Sequence, residues 1–186
     1  MSNSPLSNRT IIALDGHDGS GKTSLASSLA YALSGLYIRP FAGAVGELLI
    51  WAVEVGEFAF ASELAQKSVK KVLATDNSPI LIFDRHWMTV FTLLPEEYWP
   101  AWKPLPHTTL CWANLDTTIT RLHMRNETPL EPSYHNHYLQ SYWHLGERFG
   151  CNILRTDQLS FVASVDVLVE WARALLPSIH IKGNAP

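Results

Sequence analysis

Residues Gly16 to Thr23 read GHDGSGKT, which satisfies the pattern G-x-x-x-x-G-K-T. The stretch directly follows an apolar run, IIALD (Ile11 to Asp15), and opens a segment of helical periodicity from about Lys22 to Leu33 that stops near Gly35. Strand, glycine-rich turn and helix in that order are what a phosphate-binding loop requires. Glycines let backbone N–H groups turn inward around phosphate oxygens, and the helix amino end adds about half a positive charge. The expectation is therefore an ATP-binding loop made of Gly16, His17, Asp18, Gly19, Ser20, Gly21, Lys22 and Thr23, with Lys22 reaching the outer phosphates and the Thr23 hydroxyl holding magnesium.

Outward from this loop, apolar strand-length runs alternate with helical segments. That is how a parallel sheet covered on both faces by helices reads. The predicted fold class is α/β: a three-layer P-loop NTPase fold with a five-stranded parallel sheet and a short lid. The strands expected after IIALD are LYIRPF, ILIFDR, TTLCWANL and NILRTD. Two helices are expected within 42–58 and 61–76, and others near 117–125, 134–149 and 162–176. The aromatic, proline-rich stretch 86–106 receives no element. The loop NETPLEP (126–132) is the candidate lid, and residues 1–186 read as one domain with a disordered tail expected at 1–9 and a frayed end at 180–186.

The 186 residues carry a net charge of -3, which gives no overall basic field and points away from nucleic acid or an anionic membrane as partner. No run is long enough to span a bilayer, and neither a secretory nor a transit signal is recognisable at the start, so a cytoplasmic protein is expected. The two cysteines, Cys111 and Cys151, lie in apolar runs without C-x-x-C spacing and fit a reducing compartment.

Two further groups complete the candidate chemistry. ILIFDR ends in Asp84 and Arg85, and a carboxylate at the carboxyl end of a strand next to the loop is placed to hold magnesium, with Arg85 gripping a phosphate. The plain alternative is a surface ion pair. In RLHMRNE, Arg121 and Arg125 are four apart on one helix face and are expected to reach one polyphosphate, where positive charge stabilises phosphoryl transfer. Their plain alternative is a solvated basic stripe. Lys22, Asp84, Arg85, Arg121 and Arg125 are thus the predicted catalytic set.

With these residues in view, the chain resembles the thymidylate kinase and deoxynucleoside kinase group of P-loop kinases, patchily over residues 10 to 157. DGHDGSGKTSLASSLA looks like the thymidylate kinase opening, and FDRH like that family's D-R-Y strand end. RPFAGAVGELL is similar to its second-strand segment, and LDTTITRLHMRNETPLEPSYHNHYLQSYWHL is closer to the deoxynucleoside kinases. The resemblance implies that Asp18 contacts the acceptor sugar and Arg39, with Phe41 beside it, the acceptor phosphate. It also makes Arg121 and Arg125 lid arginines and Glu127 the lid glutamate.

Two departures matter. Where deoxynucleoside kinases carry a catalytic glutamate, this chain reads Arg39, Pro40, Phe41. Where thymidylate kinases carry a further phosphate-binding arginine, it offers Glu63 and Leu64. The resemblance implies an ATP- and magnesium-dependent transfer to a nucleoside or nucleotide. A kinase of another hydroxyl-bearing metabolite and a nucleotide-binding regulator remain as alternatives. Arg39 and Arg85 suit a phosphate acceptor, whereas Asp18 and Asp84 suit a hydroxyl acceptor that needs a base.

Trp51, Trp87, Trp99 and Trp102 fall in segments expected to wall the acceptor pocket, with core packing or a subunit interface as the alternative. His135 and His137, two apart, point to diverging helix faces and do not form a metal set. The apolar stretch LLIWAVEVGEFAF suits a homodimer contact.

Overall fold

The computed structural model describes residues 9–176. The expected tails at 1–9 and 180–186 lie outside these residues apart from Arg9. The sheet is all parallel, with β1 (Thr10–Asp15), β2 (Leu36–Ile38), β3 (Ile80–Asp84), β4 (His107–Trp112) and β5 (Asn152–Arg155) arranged in the order β2-β3-β1-β4-β5. The first and third strands read as unbroken apolar runs because both their faces are covered: Ile12, Ala13, Leu14, Leu81, Ile82 and Phe83 have no solvent exposure.

Seven α-helices cover the sheet: α1 (Lys22–Ala32), α2 (Ala44–Glu54), α3 (Phe58–Thr75), α4 (Trp87–Phe91), α5 (Leu115–Met124), α6 (Pro132–Arg148) and α7 (Phe161–Leu175). Side chains alternate between two faces of each strand, and the core divides accordingly. On one side Ala13, Leu81 and Phe83 pack against Leu49, Ala65, Met88 and Leu145 from α2, α3, α4 and α6. On the other, Ile12, Leu14 and Ile82 pack against Leu25 and Leu29 of α1 and Leu168 and Ala172 of α7. Three layers result. No described helix is long and apolar enough to cross a membrane.

Most differences from expectation are at element ends, where local chemistry decides. The second strand ends at Ile38 instead of continuing to Phe41, because Pro40 has no N–H to donate to a ladder. Gly56, at φ +80°, separates α2 from α3. Arg125 and Asn126 close α5, the asparagine taking the left-handed position at φ +58°. The stretch 86–106 is more ordered than the sequence suggests. It contains α4 and a 3-10 turn, Glu96–Trp102.

The carboxyl ends of three strands, β1, β3 and β4, meet at the centre of the sheet. Leu14 pairs with Asp84, Asp15 pairs with Leu110, and the Arg85 N–H donates to the Leu14 carbonyl. The loop after β1 therefore lies between the end of β3 on one side and the end of β4 on the other, the crevice in which open parallel sheets bind ligands.

Candidate active site

The loop from Gly16 to Gly21 is built tightly against its surroundings. At Gly16, φ is +147° and a Cβ would sit 2.1 Å from the Cys111 carbonyl; at Gly19, φ is +75° and a Cβ would sit 2.9 Å from the Thr118 carbonyl. Neither position accommodates a side chain, so the backbone can pass close to β4 and α5 and turn back. The loop delivers the chain to α1, whose N-cap Gly21 offers no side-chain cap. The helix N–H groups are thereby left to a ligand's oxygens.

Lys22 is buried, and its ammonium donates to the His17 carbonyl at 3.2 Å and to Asp18 Oδ1 at 3.4 Å. Burial and the nearby Arg85 guanidinium lower its pKa to about 8, against the pull of Asp18 and Asp84. Asp18 also receives Arg85 Nη2 at 2.5 Å. Burial alone would raise the Asp18 pKa, but Lys22 and Arg85 outweigh it and hold the carboxyl well below the usual range. Arg85 makes this contact from φ +77°, a conformation uncommon for a non-glycine residue.

Asp84 is buried. Its Oδ2 accepts from the Tyr37 hydroxyl at 2.9 Å and pairs with Arg39 Nε at 3.3 Å, while its Oδ1 has no hydrogen-bond partner. A buried carboxylate oxygen left over in this way, at the strand end beside the loop, fits a hard divalent cation. Thr23 is exposed in the first turn of α1. Among the described residues no group of three or more His, Cys, Asp or Glu is assembled elsewhere for a metal.

Asp15 was not singled out by sequence reasoning, although it closes the first strand directly before the loop. It is wholly buried and accepts from the backbone N–H groups of His86, Met88 and Thr89 and from the Thr89 hydroxyl at 2.7 Å. Burial pushes its pKa up against these hydrogen bonds. The carboxylate caps the amino end of α4 and so fixes the turn that carries Arg85.

A cavity of about 270 Å³ opens beside Asp18 and Arg85. Phe41, Leu49 and Ile50 form one wall, and Tyr134, Tyr138 and Tyr142 of α6 form the other. The tyrosines are spaced i, i+4, i+8, which places them on one helix face; that periodicity was present in the sequence. His17 lies parallel to Tyr138, centroids 5.6 Å apart, and its Nε2 is 2.7 Å from Nδ1 of buried His135. Burial, with help from His135, Lys22 and Arg85 and against Asp18, lowers the His17 pKa to about 4.

The expected tryptophan wall is replaced by this tyrosine wall. Trp87 is buried and donates to Thr108 Oγ1 at 2.8 Å, Trp99 stacks on Phe91, and Trp102 meets His86 edge-on. Trp51 is half-exposed on α2. Large indoles in this chain fill the core around the 3-10 turn and leave the cavity to rings with hydroxyls.

The two arginines expected to act together, Arg121 and Arg125, hold different partners instead of converging. Arg121 donates through Nη1 to the Gly19 carbonyl and to Thr156 Oγ1, both at 3.0 Å, and through Nη2 to the Thr156 carbonyl at 2.6 Å. It ties the phosphate loop to the turn after β5. Arg125, at the α5 C-cap, pairs with Glu127 at 3.4 Å, and both are half-exposed. The helix ends at Met124, so four-residue spacing no longer carries Arg125 onto the Arg121 face. A smaller cavity of about 200 Å³ lies beside Arg121, between Gly21, Leu25, Thr156, Leu159 and Phe161. Of the expected acceptor residues, Asp18, Phe41 and Arg85 line the tyrosine-walled cavity, whereas Arg39 and Glu127 are not among its lining side chains.

The chain shares its fold with deoxyadenosine kinase. The M. mycoides enzyme with bound dATP superposes with a TM-score of 0.61 at 12% identity, covering 89% of this chain and 100% of that one. The same enzyme with bound dCTP, and with the products dCMP and a flexible dCDP, gives a TM-score of 0.59 at 12% and 13% identity, with the same coverage. No family model matches the sequence, and no curated protein matches it.

Proposed function

We propose that this chain is an ATP-dependent phosphotransferase that moves the γ-phosphate of ATP to a nucleoside or nucleotide, with a nucleoside monophosphate as the favoured acceptor in the manner of thymidylate kinase. One observation carries the reading: Asp18 and Arg85 belong at once to the phosphate loop's charge cluster and to the wall of an aromatic cavity of about 270 Å³. A donor phosphate on the loop and a planar ring between the tyrosines would then meet at the same two side chains.

Phosphoryl transfer is mostly positioning and charge stabilisation. The loop N–H groups and the start of α1 bind the triphosphate, and Lys22 supplies a positive charge to the outer phosphate oxygens. Arg121 holds the loop's shape through Gly19 and provides a flat guanidinium beside the 200 Å³ cavity, where the donor base fits. Asp84 Oδ1 and Thr23 would hold magnesium, which would supply charge neutralisation to the bound phosphates. Arg85 reaches the space between loop and cavity and neutralises charge on the transferring group.

The absence of an available base favours an acceptor that is already anionic. Asp18, the one carboxylate lining the cavity, is engaged by two cations, and Asp84 is held by Tyr37 and Arg39. Arg39, occupying the place of the glutamate in the nucleoside kinases, is half-exposed and can swing from Asp84 to an acceptor phosphate. A second reading, transfer to a nucleoside hydroxyl, is favoured by the fold's likeness to deoxyadenosine kinase and would use Asp18 as base.

The test is incubation with magnesium, ATP radiolabelled in its γ-phosphate, and separate nucleosides, nucleoside monophosphates and simple alcohols. Label in a nucleoside diphosphate that disappears with Lys22→Ala supports the proposal. Label only in nucleoside monophosphates selects the second reading. Label only in an alcohol product, or ATP binding without transfer to any acceptor, overturns both.

A further inference from the structure

A cavity of about 400 Å³ lies away from the phosphate loop, against the starts of β1 and β4. Its wall includes Arg9 and Ile11 from the start of β1 and His107 from the start of β4. Helix α3 contributes Val69, Lys70 and Leu73, and the segment after the 3-10 turn contributes Lys103, Leu105 and Pro106. None of the residues assigned above to ATP, magnesium or acceptor lines it.

Three features of this cavity point the same way. Arg9, Lys70 and Lys103 line it, and no Asp or Glu does, so its field is positive in a chain whose net charge is -3. Between these cations its walls are aliphatic and proline-rich, suited to a flat or extended hydrocarbon body. Two of its lining side chains, His86 and Trp102, are each 6% exposed and carry nitrogens, Nδ1 and Nε1, that are buried without a hydrogen-bond partner. Buried polar groups are rarely left in that condition unless something else completes them.

We propose that this cavity is a second small-molecule site, separate from the phosphate-transfer site, that binds an organic anion with an aromatic body. The anionic group meets Lys70 and Lys103 and offers its oxygens to the unpartnered Trp102 Nε1–H, and the ring system lies against Val69, Leu73 and Leu105. His86 directly follows Arg85, so the ligand rests against the neighbour of the residue that contacts Asp18.

The test uses the full chain saturated with MgATP and two probes of the same shape. These are 1-anilinonaphthalene-8-sulfonate, which is anionic, and N-phenyl-1-naphthylamine, which is neutral. The expected result is a single saturable fluorescence site for the sulfonate, at least about tenfold tighter than for the neutral amine, an amount equal to about 1.4 kcal/mol. The double variant Lys70→Glu, Lys103→Glu reverses two exposed charges outside the core and should weaken the sulfonate at least tenfold while its circular dichroism stays unchanged. A crystal structure of the complex should place the sulfonate at Lys70 and the rings beside Trp102. Equal binding of both probes, loss of sulfonate binding when ATP is added, indifference to the charge reversal, or density elsewhere overturns the proposal. All these readouts are independent of phosphate transfer.

Discussion

Arg39 shows how a single side chain separates two acceptor chemistries. It pairs with Asp84 Oδ2 at 3.3 Å from a half-exposed position, so it can either orient the Asp84 carboxylate or, under the proposed function, meet an acceptor phosphate. If it meets the phosphate, Arg39→Ala should raise the acceptor KM by ~10-fold or more with little change in kcat, as for loss of a charge-assisted hydrogen bond. Steady-state kinetics with varied acceptor measures this; a fall in kcat at constant KM would assign Arg39 to Asp84 alone. His17 gives a pH prediction. Its folded pKa of about 4 lies below the ordinary 6.5, so between these values the unfolded chain binds more protons than the folded one. Stability from burying the neutral ring is therefore fully present above pH 6.5 and lost as pH falls toward 4. Thermal melts should show that decline, and His17→Gln should flatten it; an equally steep decline in the variant would place its cause elsewhere. Such readings were only partly available in the sequence. Lys22, Thr23 and Asp84 declare themselves by motif and strand end, whereas the contacts between His17 and His135, 118 positions apart, and between Asp15 and the start of α4 depend on long-range packing.

At the scale of elements, α5 and α6 bring different side chains to the two sides of the loop. Helix α5 delivers Arg121 beneath the loop, joining Gly19 to Thr156, and stops before Arg125 can follow. Arg121→Ala should therefore loosen the loop itself and weaken ATP binding by about 10- to 100-fold in calorimetric titration, while Arg125→Ala should have a much smaller effect on ATP affinity. Equal losses in the two variants would contradict this division. Helix α6 brings the tyrosine wall to the cavity beside Asp18, and the i, i+4, i+8 spacing that does so is present in the sequence, though the sequence alone does not say which faces meet. The strands were read well because their apolar runs are buried on both sides. The short α4 and the 3-10 turn were not, since proline and aromatic clusters have no decisive period. Helix α2 exposes Leu48, Ile50, Trp51 and Val55, with Phe60 following on α3. If this face pairs two copies, sedimentation should show a dimer that Trp51→Glu converts to monomer; a monomeric parent protein would remove that role.

Across the whole molecule, the parallel sheet, the loop between β1 and α1 and the two cavities on either side of that loop form one arrangement. The fold alone does not choose an activity, since 331 solved chains match it and a fold can host unrelated chemistries. The choice rests on Lys22, Asp18, Arg85 and Asp84 standing between a cavity beside Arg121 and a cavity walled by tyrosines. The most direct measurement is a crystal structure, with matched binding titrations, of a bisubstrate analogue in which adenosine and a second nucleoside are joined by a polyphosphate chain. The account predicts tighter binding than ATP, with adenosine beside Arg121, the phosphates on the loop and the second nucleoside between Phe41 and Tyr138. Affinity no better than that of ATP, with the second nucleoside left in solvent, would contradict it.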